Sequence, residues 1–471
     1  MSASGHSIHF YNTETNRKDP FTSLEPGKVK MYTCGPTVYD YAHIGNYRAY
    51  LFEDILRRYL KYRGYQVTQV MNLTDVEDKI IRKSIAQSVS ISEVTKPFIE
   101  AFFQDLDTLH VERAEYYPKA TDHVDEMLAI IRKLRDAGYT YEKDGSVYFR
   151  ISQFKNYGRL SGIKVEDVKI GARIDSDEYE KDDARDFVLW KAYKEGEHFW
   201  ETEFGKGRPG WHIECSAMAT KYLGNHFDIH TGGEDNIFPH HENEIAQSEA
   251  ATGETFVNYW LHCRHLLVEG EKMSKSKGNF FTLRDLIGQG HHPMAIRYFI
   301  ISNHYRSPVN LTQDALKAAH SAWTRIMDFH TRLQETITRQ DTCGRLVALD
   351  EDLGFVVKKF EEHMDDDLDT PRALAALFDF IRDTNKLLDE EPVNAEQTQA
   401  VLDALQRMDS VLGVIQEEET LLDAEIETLI QERQEARKAK NFTRADAIRD
   451  TLAEQGIILE DTRDGVRWKR R

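Results

Sequence analysis

Residues Met31 to Asn46 read Met-Tyr-Thr-Cys-Gly-Pro-Thr-Val-Tyr-Asp-Tyr-Ala-His-Ile-Gly-Asn, and how they are read decides the fold. Val29 to Cys34 alternate apolar and polar residues as a strand does, Gly35-Pro36 stops the strand, and an amphipathic helix starts near Asn46. A strand, a loop and a helix N-terminus in that order make an anion site. The first turn of a helix presents unpaired N–H groups and the positive end of the dipole, so phosphate binds there readily. His43 and Asn46 at the loop end can donate to such a phosphate, and Cys34 stands where the strand ends. By itself a His-x-Gly loop is more often a turn with a solvated histidine.

Downstream, Tyr47 to Tyr62 places Leu51, Phe52, Ile55, Leu56 and Tyr59 on one face of a helix. Gly64 ends it, and Tyr65 to Met71 forms a second strand. This βαβ beginning feeds a parallel sheet. Thr74-Asp75 is expected to cap a helical stretch that runs, with breaks, to Leu109. Near Tyr117-Pro118 the character changes. A helix over Asp122 to Asp136, an Asp144-Gly145 hairpin and an acidic run from Val165 to Asp186 read as an insertion between two halves of one sheet. The second half returns with a helix opening at Trp211 and a strand over His226 to His230, turned by Gly232-Gly233. A helix from His240 to Ala251 with Pro239 in its first turn and a strand over Tyr259 to Val268 follow. Beyond Thr312 the apolar spacing predicts a helical bundle. The last residues change again to a short helix, a strand at Ile457 to Leu459 and a tail with Arg463, Arg467, Lys469, Arg470 and Arg471.

At 471 residues the chain has room for roughly three domains, and a net charge of −19 argues against a general polyanion binder. An RNA partner needs a local basic surface, which the tail offers. No apolar run of membrane-spanning length occurs and the N-terminus lacks the pattern of a secretory signal, so no membrane partner and a cytoplasmic location are expected. The absence of an evident interface stripe makes a monomer the expected state. Cys34, Cys215, Cys263 and Cys343 are spread too widely for a disulfide framework, and read as reduced core residues or metal ligands.

His240 and Glu244 are four apart and share a helix face, with His241 a possible substitute. With Cys34 and Cys215 they would complete a tetrahedral Cys₂HisGlu set. Buried free thiols and a solvated helix pair account for the same residues equally well.

His43-Ile44-Gly45-Asn46 near the start and Lys272-Met273-Ser274-Lys275-Ser276 after the second half-sheet resemble the two signature motifs of class I aminoacyl-tRNA synthetases, in the right order. Three further strings narrow the resemblance to the cysteinyl-tRNA synthetase family: Tyr32 to Asp40, Gly207 to Ser216, and Phe238 to Glu244. The likeness covers nearly the whole chain. Two departures stand out. Asn46 takes the place of the second histidine of the first signature, and Thr231 that of a glycine common in the family.

The resemblance implies an α/β fold. A split Rossmann-type parallel-sheet catalytic domain carries an inserted α+β subdomain and is followed by an α-helical bundle and a small mixed α/β C-terminal domain. In these terms 1–116 and 206–257 are the two catalytic halves and 117–205 the connective insertion. Residues 258–311 carry the second signature, 312–415 form a tRNA-binding bundle, and 416–471 the anticodon-binding domain with its basic tail. It also implies that Cys34, Cys215, His240 and Glu244 hold one Zn²⁺, which takes the thiol of L-cysteine and disfavours serine. Trp211 would then wall the cysteine side chain, or else pack the core, and Thr37 would contact substrate. ATP with Mg²⁺ is the second substrate: His43 with Asn46, and Lys272 with Lys275, act on its phosphates, while Gly45 binds the nucleotide and Asp235 holds its ribose or else the amino group. The expected partner is tRNA(Cys), on whose bases Trp468 could stack, unless it closes a small terminal core. Two rival functions are a zinc ligase joining cysteine to an amino sugar and a non-catalytic RNA-binding relative.

Overall fold

Strand Lys28–Thr33 forms at the centre of a four-stranded parallel sheet, with Val29, Met31, Tyr32 and Thr33 all buried, as a strand covered on both faces requires. In this computed structural model the described residues are 7–164, 185–274, 278–339, 347–390, 393–416, 423–439, 441–455, 457–462 and 465–470. Lys275, Cys343, Arg463, Arg471 and the acidic run up to 184 lie outside them. The sheet runs Val257–Cys263, Phe227–Gly233, Lys28–Thr33, Gln66–Met71 from edge to edge. In chain order that is 4-3-1-2, so the direction of winding reverses between the first and third strands. Ligands bind beyond the carboxyl ends of the strands at such a reversal.

Helix Ile44–Tyr62 crosses from the first strand to the second. Between the two halves lie helix Val124–Asp136 and a five-stranded antiparallel sheet, in the order Thr140–Lys143, Ser146–Phe149, Phe187–Ala192, Gly205–Pro209, Trp200–Thr202. Helices Gln313–Arg339, Val347–Asp365, Thr370–Glu390 and Ala395–Leu412 form the bundle. The chain divides into a unit of residues Met1–Ile415 and a second of Gln416–Arg471. In the latter, helices Asp423–Lys438 and Phe442–Glu454 enclose Ile426, Ile430, Ile448, Leu452 and Ile457. The basic tail there is a strand: Gly465–Arg470 pairs antiparallel with Ile457–Thr462, Trp468 opposite Leu459. Among the described residues no helix is long and apolar enough to cross a membrane.

Several local expectations are corrected. The single strand over Tyr259 to Val268 is two, because the backbone N–H groups of Arg264 and His265 leave the ladder for Tyr305 O (2.8 Å) and Glu234 Oε1 (3.1 Å). Leu266–Val268 then joins a separate three-stranded sheet. Gly232-Gly233 does not turn the chain: the strand continues through both, opposite His262 and Cys263. The lack of a side chain serves packing, since a Cβ on Gly232 would meet the His241 ring at 2.8 Å. The helix expected from His240 starts at Glu242, after one wide turn over Ile237–His241 that contains a cis Phe238–Pro239 bond. Glu77, not Thr74-Asp75, caps helix Asp78–Gln87, because Thr74 and Asp75 are buried and engaged with Glu214 and Thr121.

Candidate functional site

Beyond the carboxyl ends of strands Lys28–Thr33 and Phe227–Gly233 opens a cavity of about 430 Å³. Cys34, Thr37, His43, Gly45, Asn46, Trp211, Cys215, Asp235, His240 and Lys272 all line it, so residues spread over 239 positions of sequence meet in one place. Gly35 allows the first loop to enter: a Cβ there would lie 1.8 Å from Asn72 O, whereas the Gly35 N–H donates to Asn72 Oδ1 at 2.9 Å.

One wall carries a helix N-terminus. His43 is the N-cap of helix Ile44–Tyr62. Its Nδ1 accepts from the Asn46 N–H (3.2 Å), and the His43 N–H donates to Asn46 Oδ1 (3.0 Å). This reciprocal capping box fixes both side chains at the positive end of a 19-residue helix. The Asn46 backbone N–H therefore holds the His43 ring, while its side-chain amide closes the cap at the His43 N–H. Lys272 enters from a short strand, Glu271–Lys272, paired with Leu266–Val268. The Asn279 side chain joins the two sides of this loop, accepting from the Ser274 N–H (2.8 Å) and donating to Lys272 O (3.1 Å).

The opposite wall is a donor cluster. Sγ of Cys34 and Cys215, a ring nitrogen of His240 and an oxygen of Glu244 all lie within 4.8 Å of one another. Tetrahedral ligands 2.0–2.3 Å from a zinc ion stand about 3.3–3.8 Å apart, so a small contraction suffices. Glu244 is fully buried, and its Oε1 lies 3.1 Å from His240 Nε2 with no hydrogen-bond partner. An orphaned carboxylate oxygen facing an imidazole nitrogen fits a cation between them. The hydrogen bond it shares with Cys215, and burial, push the Cys34 thiol up. The same bond holds Cys215 below the usual thiol range. Two soft sulfurs, one imidazole and one carboxylate suit zinc.

Cys34 and Glu244 also stand within 4.8 Å of His230 and His241, a second possible quartet. Cys34, Cys215 and His240 line the cavity, while His230 and His241 do not. The latter are already engaged. His230 Nε2 is 3.0 Å from Glu244 Oε2, and His241 Nδ1 is 2.8 Å from His262 Nε2, whose Nδ1 meets Thr13 Oγ1 at 2.7 Å. His212 Nδ1 stands 2.8 Å from His240 Nδ1. Burial lowers the pKa of His241, and that of His262 to about 3, so both are neutral rings of a supporting layer. Trp211 stacks on His240, ring centroids 4.1 Å apart and 18° from parallel, and so forms a cavity wall directly over a donor.

The sequence names His241 only as a substitute ligand and Thr74 only as a cap, and gives no role to His212, His230 or His262; Thr74 lines the same cavity. A signal for the histidines was present: seven of the chain's 19 fall between positions 212 and 265.

Thr231 donates to Glu53 Oε1 at 2.8 Å inside the core; a glycine there could not. Burial raises the Glu53 carboxyl from 4.5 to about 8. A raised acid gives stability that is whole below the unfolded value and is lost as pH rises toward the folded one. Glu53→Gln is therefore expected to melt like the parent near pH 5 and at a higher temperature than the parent near pH 8.5. Equal melting at both would show that Glu53 does not titrate in this window.

A family model described as the tRNA synthetases class I (C) catalytic domain matches residues 20–321. Models of the DALR domain and of the cysteinyl-tRNA ligase anticodon binding domain match 359–416 and 419–468. The cysteine–tRNA ligase of Leptospira interrogans (serovar Lai) is 52% identical over 98% of this chain and 99% of its own. That of Solibacter usitatus is 50% identical over 98% and 100%. Among solved structures, Mycobacterium tuberculosis methionyl-tRNA synthetase bound by methionyl-adenylate superposes with a TM-score of 0.60 at 14% identity. It covers 82% of this chain and 90% of that one, a likeness of fold alone.

Proposed function

The chain belongs to the cysteine–tRNA ligase family of class I aminoacyl-tRNA synthetases, and we propose that it selects cysteine through zinc held by Cys34, Cys215, His240 and Glu244. Its activity is that of the family: L-cysteine is activated with ATP to cysteinyl-adenylate and transferred to the 3′ end of tRNA(Cys). The observation that carries the proposal is that donor cluster and helix N-terminus face each other across one cavity. When bound, zinc supplies a soft Lewis acid for which a thiol is a far better ligand than a hydroxyl, so serine is refused without an editing domain.

The chain's own residues then position and neutralise. The cysteine carboxylate attacks the α-phosphorus and pyrophosphate leaves in line, a step governed by alignment and charge. His43, fixed by Asn46 and backed by the helix dipole, donates to the phosphates as charge builds on them. Lys272, with Lys275 beyond the described residues, faces the β- and γ-phosphates of ATP, which arrives with Mg²⁺. Gly45 lies beside Met273, whose methyl a Cβ would meet at 2.6 Å, so the two signature motifs touch at the cavity, which supports assigning Gly45 to the nucleotide. Asp235 is assigned to the nucleotide, Thr37 to substrate, and Trp211 covers the cysteine side chain. The match of 419–468 to an anticodon binding domain favours tRNA over an amino sugar as acceptor.

The test is cysteine-dependent ATP–pyrophosphate exchange, with serine in parallel and zinc measured on the same sample. Exchange with cysteine alone and about one zinc per chain is the expected result; exchange from zinc-free protein would remove the proposed basis of selection. In the same assay His43→Ala is expected to lose about 10²- to 10³-fold in kcat, the scale of a lost transition-state donor. A change confined to KM would instead place His43 in ground-state binding.

A further inference from the structure

Thr37 and His43, at the two ends of the loop 37–43, line the cavity, whereas Tyr39 and Tyr41 between them do not. Tyr41 is 44% exposed, with the Phe98 ring edge-on at 5.4 Å and the Arg284 guanidinium over its face at 5.4 Å. Lys79 Nζ lies 4.7 Å over the Tyr39 ring, and Lys83 Nζ lies 5.0 Å over Phe98 while donating to Tyr39 O at 2.6 Å. Helices Asp78–Gln87, Ile91–Thr108 and Leu283–Gly288 thus bring three cations and one aromatic ring to the two tyrosines at the outer edge of the loop.

The acidic groups nearby are occupied. Asp78 pairs with Arg208 and Lys191, Glu77 caps its own helix at the Lys79 N–H, and Asp40 Oδ1 accepts from the Tyr41 N–H. Asp105 bonds Tyr47 and meets Arg284, whose charge is thereby partly compensated. Neither Lys79 nor Lys83 pairs with a carboxylate among the described residues. In a chain of net charge −19 a ridge of this kind is a local reversal of sign.

We propose that this ridge docks the unpaired 3′-terminal nucleotides of the RNA acceptor, with bases stacked on Tyr41 and Tyr39 and phosphates against Lys79 and Lys83. Aromatic faces interleaved with cations are what single-stranded RNA requires, and they grip it without sequence readout. The place suits that ligand. Tyr41 is two residues from His43, at most about 7 Å along the chain, so a base on Tyr41 stands about one nucleotide from the cavity mouth. The inference rests on the ligase reading and extends it to the second substrate's path.

The experiment compares the parent chain with Tyr41→Ala, Lys79→Ala and the double variant in two assays. Pyrophosphate exchange without RNA is expected to stay within twofold of the parent. Aminoacylation kcat/KM for tRNA is expected to fall about 10- to 100-fold in the double variant, the scale of one lost base stack. The salt dependence of tRNA binding should flatten by about 0.7 per phosphate contact removed. Tyr41→Phe should restore most of the loss. The binding deficit should vanish with tRNA lacking its unpaired 3′ nucleotides, which separates a contact to that strand from one elsewhere on the RNA. Unchanged tRNA kinetics in the double variant would overturn the proposal, as would a deficit that persists with the shortened tRNA. Failure of the parent itself to exchange pyrophosphate would instead sink the ligase reading.

Discussion

Cys215→Ser is expected to lower cysteine-dependent pyrophosphate exchange by more than about a hundredfold and to leave the purified protein short of zinc. A serine hydroxyl is a poor zinc ligand because it stays protonated where a thiolate does not. The variant also decides between the two quartets around Cys34 and Glu244. If zinc were held by Cys34, His230, His241 and Glu244, the loss of Cys215 would leave all four ligands in place and the metal bound. If Cys215 and His240 are the ligands, zinc content and discrimination against serine fall together. His230→Gln supplies the counterpart. Its Nε2 meets Glu244 Oε2 and its Nδ1 lies 3.2 Å from Thr231 O, so as a supporting ring its loss should weaken zinc affinity by about 10- to 100-fold while the metal is retained at saturating zinc. Full zinc and full selectivity in Cys215→Ser would refute the proposed ligand set. Loss of the cooperative melt would mean the thiol serves folding, and the His240→Ala variant would then carry the comparison.

How much of this could be read from the chain followed the range of each signal. The first strand, the helix after it and the insertion were legible because apolar period, Gly35-Pro36 and Asp144-Gly145 act over a few residues. Ten of the residues assigned to one site line one cavity, Glu244 is not among its lining residues and Lys275 lies outside the described residues, but the spacing of Cys34 and Cys215 carried nothing by itself. That pairing was read through resemblance, and in the structure it comes from helix Trp211–Leu223, which carries Cys215 and packs against strand Lys28–Thr33, at whose end Cys34 stands. What escaped was decided by tertiary partners. Gly232-Gly233 looks like a turn until the His241 ring is seen to need its space. Thr74 looks like a cap until Glu214 is seen to accept its hydroxyl (3.0 Å). The break at Arg264-His265 depends on Tyr305 and Glu234, neither of which is near in sequence. The tail's second strand was hidden because Arg467, Lys469 and Arg470 carry charge rather than an apolar alternation.

The largest effect on stability is expected at Arg297, the only fully buried arginine among the described residues. Its guanidinium donates to Leu412 O (2.8 Å), Leu109 O (2.9 Å), His110 O (3.2 Å) and Asp54 Oδ2 (2.5 Å), and so ties four parts of the chain together. Leu412 ends the helix Ala395–Leu412, and Gly413 follows at φ +61°, where a Cβ would meet Arg297 Nη2 at 2.8 Å. Burial alone would push the Asp54 carboxyl up, but Arg297 and then Arg58 hold it below the usual carboxylate range. The pair's contribution is therefore present at neutral pH and is lost as pH falls through that depressed value. Removing one partner strands the other charge, so Arg297→Ala should destabilise the protein by about 3–5 kcal/mol. Arg297→Met with Asp54→Leu should recover much of this, since neither charge of the pair is then left without the other and Arg58, the second partner of Asp54, keeps its bonds to Ser410 O and His110 O. The midpoint of urea unfolding, followed by tryptophan fluorescence, gives the comparison. A double variant as unstable as the single one would mean that the three carbonyls, not Asp54, are what Arg297 serves. Asp54 lies on the helix whose N-cap is His43, so the single variant should also lose exchange activity at temperatures where the parent is still folded. Undiminished activity there would separate the anchor at the helix's middle from the chemistry at its start.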